Sequence, residues 1–173
     1  MILSGQQIAS AVRSGDVVIN PFDERRLSPN SYDLTLGERC LVYKHRTLDS
    51  RQHNEVIPFS LGRHGWELTP DRVFLFNTHE IVGSSKYVPI IRGRSSLGRL
   101  GVFVHITADM IDIGSVNQLT LQLHCVQPVI LRKACLIAQV TFWEIRGPYR
   151  VYSGKYAQRE APVESLSYHE ELN

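Results

Sequence analysis

Residues 119–125 read LTLQLHC, a stretch in which apolar and polar side chains alternate without exception. The three leucines and Cys125 fall on one side, and Thr120, Gln122 and His124 fall on the other. A period of two is that of a β-strand with one face in the core. The pattern therefore predicts a second, polar face that meets water, a ligand or another subunit.

Short apolar segments of the same kind recur along the rest of the chain, separated by Pro, Gly, Asn and Asp. This spacing is typical of an all-β sandwich or barrel, and neither α/β alternation nor an internal repeat is present. The predicted strands are Val17–Ile19, Tyr32–Leu36, Cys40–Tyr43, Val73–Phe76, Val88–Ile91, Val102–Ile106, Leu119–Cys125, Val129–Leu131 and Cys135–Trp143.

One helix is predicted ahead of the first strand. Ser4 and Gln7 have the spacing of a capping box, apolar residues four apart share a face, and Gly15 suits a left-handed helix end. Farther along, Ser95–Gly101 is expected to add no more than one or two helical turns. The chain is thus predicted to be mainly β with two short helical elements.

The overall composition is that of a globular protein. A chain of 173 residues, 43% hydrophobic and 21% charged, fits a single domain over residues 1–173. The net charge is +2 and no Lys/Arg tract occurs, so no nucleic-acid polymer is expected as a partner. No apolar run approaches the ~20 residues of a membrane span, and the first residues lack a signal-peptide pattern. No membrane partner is expected.

Three scattered cysteines, Cys40, Cys125 and Cys135, are typical of reduced thiols in a cytoplasmic protein. Zinc-dependent nucleobase hydrolases need His-x-Glu and Pro-Cys-x-x-Cys, and neither pattern occurs here. Cys125 and Cys135 are ten residues apart, and Thr107 stands two residues after His105. No zinc site is expected.

Residues 92–101 read RGRSSLGRLG, which places three arginines, two serines and three glycines just after a predicted strand. Arginine forks match phosphate oxygens, and hydroxyls and helix-start amides add further donors. Neither a P-loop nor a dinucleotide fingerprint is present. The segment is therefore either an anion site or a capped surface turn with solvated arginines, and composition alone leaves both open.

The segment Gly93–Gly101 closely resembles the signature of dCTP deaminases, the metal-free relatives of trimeric dUTPases. A dUTPase-type Gly-rich C-terminal motif is missing, so the sequence is more similar to the deaminases, including the bifunctional deaminase–dUTPases. Further motifs that resemble the family follow the expected order: Ser31–Gly37, Val104–Ala108, Ile111–Gly114, Ile137–Val140 and Gly154–Tyr156.

The resemblance implies a distorted β-barrel or jelly roll of the trimeric dUTPase type, with an N-terminal helix and a short helix in the Gly93–Gly101 motif. It also implies a homotrimer with sites between subunits, and a tail of about residues 147–173 that closes over a site. The implied substrate is a pyrimidine deoxynucleoside triphosphate, dCTP or possibly dUTP. Mg²⁺ would accompany the triphosphate.

The resemblance assigns a role to each matching position. Arg94, Ser95, Ser96 and Arg99 would lie against the triphosphate and the reacting water, with Ser95 and Arg99 near the pyrimidine C4. The other substrate contacts fall on the base, the sugar and the closing tail. These are the Thr107–Ala108 backbone, Asp112 at the deoxyribose, the Thr120–Leu121 backbone, and Tyr152, Lys155 and Arg159 in the tail.

Gln122 departs from the family, which carries its general base, a Glu, at this position. A carboxylate can take a proton from water and pass it to the leaving amine, whereas a neutral amide can only form hydrogen bonds. Loss of such a base removes on the order of 10²–10⁴ in rate. The loop Ser115–Asn117 also replaces an aromatic residue and a glycine, and Arg159 replaces a glutamine.

Three functions therefore remain open. The first is a dCTP deaminase, producing dUTP and ammonia, whose chemistry is intact, altered or silenced at Gln122. The second is a dUTPase-like phosphohydrolase that uses Asp112 and the phosphate cluster. The third is a non-catalytic trimer that binds a pyrimidine nucleotide.

Two residues are candidate replacements for the missing base. His124 leaves the same strand face as Gln122, and a neutral imidazole has a suitable pKa. The alternative is that His124 packs at the trimer interface and bonds a carbonyl. Asp109 is a second candidate, although its predicted position is in a loop.

Overall fold

A computed structural model describes residues 1–157 and 160–170. Within these residues the chain is built largely from strands, with two α-helices and two short 3-10 turns. The elements are α1 (Gly5–Ser14), β1 (Val17–Asn20), a 3-10 turn (Glu24–Arg26), β2 (Leu27–Ser28), β3 (Ser31–Tyr43), β4 (Val56–Ser60), β5 (Trp66–Leu68), β6 (Phe74–Ser84), β7 (Tyr87–Gly93), α2 (Ser95–Gly98), β8 (Val102–Phe103), β9 (Val116–Cys125), β10 (Val129–Leu131), β11 (Leu136–Glu144) and a second 3-10 turn (Ser167–His169).

Nine of the strands form one sheet in the order β7-β11-β3-β6-β9-β8, with β1, β2 and β4 attached to its long strands. The sheet curls into a nearly closed barrel, which confirms the predicted fold class. The helix α2 joins β7, at one end of this order, to β8, at the other. Backbone bonds from Ile91 N–H to Asp109 O (2.8 Å) and from Ile111 N–H to Pro89 O (2.9 Å) connect the two ends.

The strand β9 has the alternation that its sequence predicts. Leu119, Leu121, Leu123 and Cys125 are buried, and the residues between them are half-buried. The apolar face joins a core that includes Tyr32, Phe76 and Phe142, each fully inaccessible to solvent. The polar face is thereby fixed on the opposite side of the sheet.

Helix α1 is also confirmed. Ser4 Oγ accepts from Gln7 N–H at 3.3 Å, and Gln7 Oε1 accepts from Ser4 N–H at 3.3 Å, which completes the capping box. The helix ends at Gly15, whose φ of 81° is in the left-handed region that favours glycine. The short helix α2 lies within the segment Ser95–Gly101, as predicted.

Other strand bounds differ from those predicted. Tyr32–Leu36 and Cys40–Tyr43 belong to the single strand β3, whose pairing with β6 shifts register between Leu36 and Cys40. β4 was not predicted because Pro58 interrupts its apolar run. A proline is tolerated there since β4 pairs only with β3 and lies at an edge.

A buried ion pair supports β6. Glu80 is wholly inaccessible to solvent, and its carboxylate accepts from the backbone N–H of Thr35 at 2.8 Å and from the Arg26 guanidinium. The Glu80 carbonyl accepts from Thr78 Oγ1 at 2.7 Å, and Leu119 N–H donates to the same hydroxyl at 2.8 Å. These bonds span the register shift where β6 pairs with β9.

The three cysteines are free thiols, and burial raises the pKa of Cys40 far above its ordinary value. Within residues 1–157 and 160–170, no helix is long and apolar enough to cross a membrane.

Candidate active site

A cleft of about 850 Å³ lies beside the polar face of β9. Four further segments bound it: residues 43–48 at and beyond the end of β3, residues 71–75 at and before the start of β6, residues 104–112 before β9, and the C-terminal segment around residues 152–165. The predicted site residues that line this cleft are Thr107, Ala108, Asp112, Thr120, Leu121, Gln122 and Tyr152.

Gln122 is positioned by both neighbouring segments. It lies opposite Leu75 of β6, is half-buried, and its Oε1 accepts from the backbone N–H of Ile106 at 3.4 Å. In the part of the chain that the structure describes, its Nε2 donates to no protein atom. The position can therefore offer hydrogen bonds to a ligand, but a neutral amide cannot accept a proton near pH 7.

The C-terminal segment lies across the cleft of its own chain. Tyr152 N–H donates to Ile113 O at 2.7 Å, and Val163 N–H donates to Thr120 Oγ1 at 3.2 Å. Ser165 N–H donates to the hydroxyl of Tyr43 at 2.9 Å. The segment is thus tied to both walls of the cleft.

The loop before β9 contributes a polar contact to this tail. Nδ2 of Asn117, which is nearly buried, donates to Ser115 Oγ at 2.8 Å and to Tyr156 O at 3.1 Å. Residues 115–117 therefore bind the tail in a way that an aromatic residue and a glycine would not.

Asp112, Thr107 and Ala108 lie at the open side of the cleft and are exposed. The Asp112 carbonyl accepts from Ser115 N–H at 3.1 Å, which holds the turn that carries it. Its carboxylate has no partner among residues 1–157 and 160–170, so it is available to a ligand hydroxyl.

The arginine- and serine-rich segment is placed elsewhere. Arg94, Ser95, Ser96 and Arg99 are on and around α2 and do not line the cleft of their own chain. Arg94 pairs with Asp33 at 3.2 Å. Burial raises the pKa of Asp33, and the Arg94 charge opposes that rise.

Arg99 differs from its two neighbours in the motif. Arg92 pairs with Asp109 at 2.9 Å and Arg94 pairs with Asp33, whereas Arg99 is exposed and has no carboxylate partner in the described chain. An arginine without an internal partner retains its full capacity to bind an anion.

The cations at the rim of the cleft are already paired. Lys44 contacts Glu55 at 2.6 Å, and Arg46 and Arg72 both contact Asp71, at 3.1 and 3.3 Å. The rim of a single chain therefore offers little uncompensated positive charge for a triphosphate.

Besides Tyr152, which lines the cleft, the tail residues predicted to contact the substrate are Lys155 and Arg159. Lys155 lies outside the lining of the cleft, where it pairs with Glu170 and donates to Leu166 O at 3.3 Å. The contact with Glu170 raises the pKa of Lys155. Arg159 lies outside the described residues.

Neither candidate replacement base lines the cleft. His124 lies next to Phe103, with ring centroids 6.3 Å apart. Asp109 is held by Arg92. In a single chain both groups are directed to other contacts.

Sequence reasoning missed several residues of the cleft. His105 has a buried Nδ1 with no hydrogen-bond partner in the described chain, and Ile106 supplies the N–H that holds Gln122. Tyr43 and Tyr156 anchor the tail through their hydroxyls, which accept from Ser165 and Leu166 N–H. Pairing of the tail with distant segments leaves no periodic signal in the sequence.

No group of three His, Cys, Asp or Glu side chains in the described parts of the chain is arranged to hold a metal ion.

Comparisons with known proteins identify the family. A dCTP deaminase from Agrobacterium tumefaciens has a similar fold, with a TM-score of 0.65 and 19% identity, over 82% of this chain and 47% of that chain. A Clostridium botulinum protein named "dCTP deaminase, dUMP-forming" is 43% identical over 169 residues, covering 97% of both chains. A Rhodopirellula baltica dCTP deaminase is 41% identical, over 99% of this chain and 86% of its own. The family described as dCTP deaminase-like matches residues 2–145, and the chain belongs to that family.

Proposed function

We propose that the cleft binds a pyrimidine deoxynucleoside triphosphate with its Mg²⁺, and that the protein deaminates dCTP only slowly. The observation that carries the proposal is Gln122. It lies in the wall of the cleft, where the family resemblance expects a base, and it presents an amide in place of a carboxylate. Binding groups are retained while the proton acceptor is missing.

The deamination would proceed by attack of water on C4, formation of a tetrahedral adduct and loss of ammonia. Ser95 and Arg99 of a neighbouring copy would supply donors to the developing charge. Several relatives are named dUMP-forming. We therefore propose that a second water attacks the α-phosphate and releases pyrophosphate, so that any turnover consumes two waters and gives dUMP and ammonia in place of the dUTP expected from the sequence.

A second candidate is binding without chemistry, in which the protein senses or sequesters a pyrimidine nucleotide. Gln122 is the observation that favours it. The bond from Ile106 N–H gives the amide a structural role that does not need turnover.

A product assay tests the proposal directly. The protein is incubated with dCTP or dUTP and Mg²⁺, and the nucleotides are resolved while binding is measured in parallel. We expect tight binding with slow formation of dUMP from dCTP. Absence of binding to either nucleotide contradicts the proposal, and binding with no product supports the second candidate.

The protein is expected to be a homotrimer. A single chain keeps Arg99 and α2 away from the cleft, whose own rim cations are paired, so a complete site needs a neighbouring copy. Static light scattering at micromolar concentration should give three times the chain mass. A monomer under these conditions contradicts a shared site.

Arg99→Ala is expected to weaken triphosphate binding by about tenfold to a hundredfold. A charge-assisted hydrogen bond to phosphate contributes ~1.5–3 kcal/mol to binding. Because Arg99 has no carboxylate partner among the described residues, its removal breaks no ion pair within the chain. Calorimetric titration with dCTP and dUTP measures the change. Arg13→Ala on α1, also exposed, is the control and should leave both affinities unchanged. Unchanged affinity in Arg99→Ala would show that α2 is a surface turn.

A further inference from the structure

Gln122 is a polar group in the cleft whose NH₂ has no protein partner among residues 1–157 and 160–170, and its neighbours on β9 differ from it in this respect. Gln118 Oε1 accepts from Asn77 Nδ2, and Gln118 Nε2 donates to His79 O, each at 3.1 Å. Thr120 Oγ1 is held by the tail. Gln118 therefore has one N–H of its amide engaged, whereas both N–H donors of Gln122 are available to the contents of the cleft.

The orientation of the Gln122 amide follows from its partner. The backbone N–H of Ile106 is only a donor, so the atom that faces it must be the carbonyl oxygen. The NH₂ group is then on the other arm of the amide. A carboxylate at this position would have two acceptors and no donor.

We infer that Gln122 selects pyrimidine deoxynucleotides with a carbonyl at C4 over those with an amine at C4. The inference rests on the proposed function, which places the base next to β9. The O4 atom of a 4-oxopyrimidine accepts a hydrogen bond from the amide NH₂. The N4 amine of cytosine is itself a donor. It would face the NH₂ group of Gln122 without forming a hydrogen bond, and at least one of the two donors would remain unpaired.

This selectivity gives the protein a preferred ligand different from dCTP, the nucleotide whose deamination its relatives' names state. Its preferred ligands are uracil or thymine deoxynucleotides, which are 4-oxopyrimidines. Binding such a ligand needs no base at position 122, because a 4-oxopyrimidine has no amine to lose. The amide is then a specificity-determining group.

Calorimetric titration with the α,β-imido forms of dUTP and dCTP, in Mg²⁺, tests the inference. The imido bridge blocks release of pyrophosphate but not deamination at C4, so chromatography after each titration must show that the cytosine form is unchanged. The unmodified protein is expected to bind the uracil form about tenfold more tightly, since one hydrogen bond and one unpaired donor are at stake. In Gln122→Glu, which can deaminate the cytosine form, binding is compared by rapid mixing within the first turnover, and the preference should reverse because the carboxylate accepts from N4 and repels O4. In Gln122→Met the ratio of affinities should fall to about one.

Gln127→Glu is the matched control, since Gln127 is exposed just beyond β9 and should leave the ratio unchanged. Circular dichroism verifies the fold of each variant. Equal affinities, or tighter binding of the cytosine form by the unmodified protein, overturn the inference while leaving the proposed function intact. If neither analogue binds, both the inference and the proposed function are overturned.

Discussion

Gln122→Glu is expected to raise the rate of dCTP deamination at least a hundredfold. The substitution restores a proton acceptor in the wall of the cleft, on a strand whose register is fixed by β6. General-base catalysis of this kind contributes on the order of 10²–10⁴ in rate. The side chain differs by one polar atom, so the buried face of β9 is not disturbed.

The pH dependence of this variant has a definite sign. An unperturbed Glu has a pKa of about 4.3, and only its ionised form can accept the proton. Activity should therefore be full near pH 7 and fall as the pH drops through the pKa of the new carboxylate. A pH–rate profile of dCTP turnover, with product identified by chromatography, measures this decline.

Two controls separate the base from other effects. Gln127→Glu adds a carboxylate at an exposed position beyond β9 and should leave the rate unchanged. His124→Ala examines the candidate replacement base, which lies beside Phe103. If the unmodified protein deaminates dCTP rapidly, and His124→Ala does so as well, then the absence of a carboxylate at position 122 does not limit the rate. An inactive Gln122→Glu that still binds dCTP would place the defect in the loop Ser115–Asn117.

The fold was largely predictable where the signal is local. The alternation of residues 119–125 predicts both the strand and its buried face, and the capping box at Ser4 predicts the start of α1. The continuity of β3 was not predictable, because a register shift near Gly37 divides its apolar pattern into two runs. β5 has only three residues, which is too short for a periodicity.

The residues of the cleft were predictable in part, where they belong to short local motifs. Motif resemblance locates Asp112, Thr120 and Gln122, and all three line one cleft. The path of the tail depends on bonds such as that between Ser165 and Tyr43, which join residues 122 positions apart. Contacts of that range have no signature in a single sequence.

Glu80→Ala is expected to lower the free energy of unfolding by about 3–5 kcal/mol. Glu80 is wholly buried, and its removal leaves the Thr35 N–H without an acceptor and deprives Arg26 of its close partner. Two acids remain near Arg26: Asp23, whose carboxylate is 3.9 Å away, and Asp33, whose pKa the Arg26 charge lowers. The loss combines the unpaired Thr35 N–H, the space left where Glu80 was buried, and the unpaired charge of Arg26, whose side chain is 28% exposed.

Chemical denaturation at a fixed protein concentration measures this loss, and Glu38→Ala provides the comparison. Glu38 pairs with Lys133 at the surface, so its removal should change stability by no more than about 1 kcal/mol.

If the buried pair acts as a unit, combining Arg26→Met with Glu80→Gln should cost less than the sum of the two single changes. Because Glu80 and Thr78 hold β6 where it pairs with β9, the destabilised variant should also bind nucleotide more weakly, although neither residue lines the cleft. A Glu80→Ala protein as stable as Glu38→Ala would show that the pair contributes little to the fold.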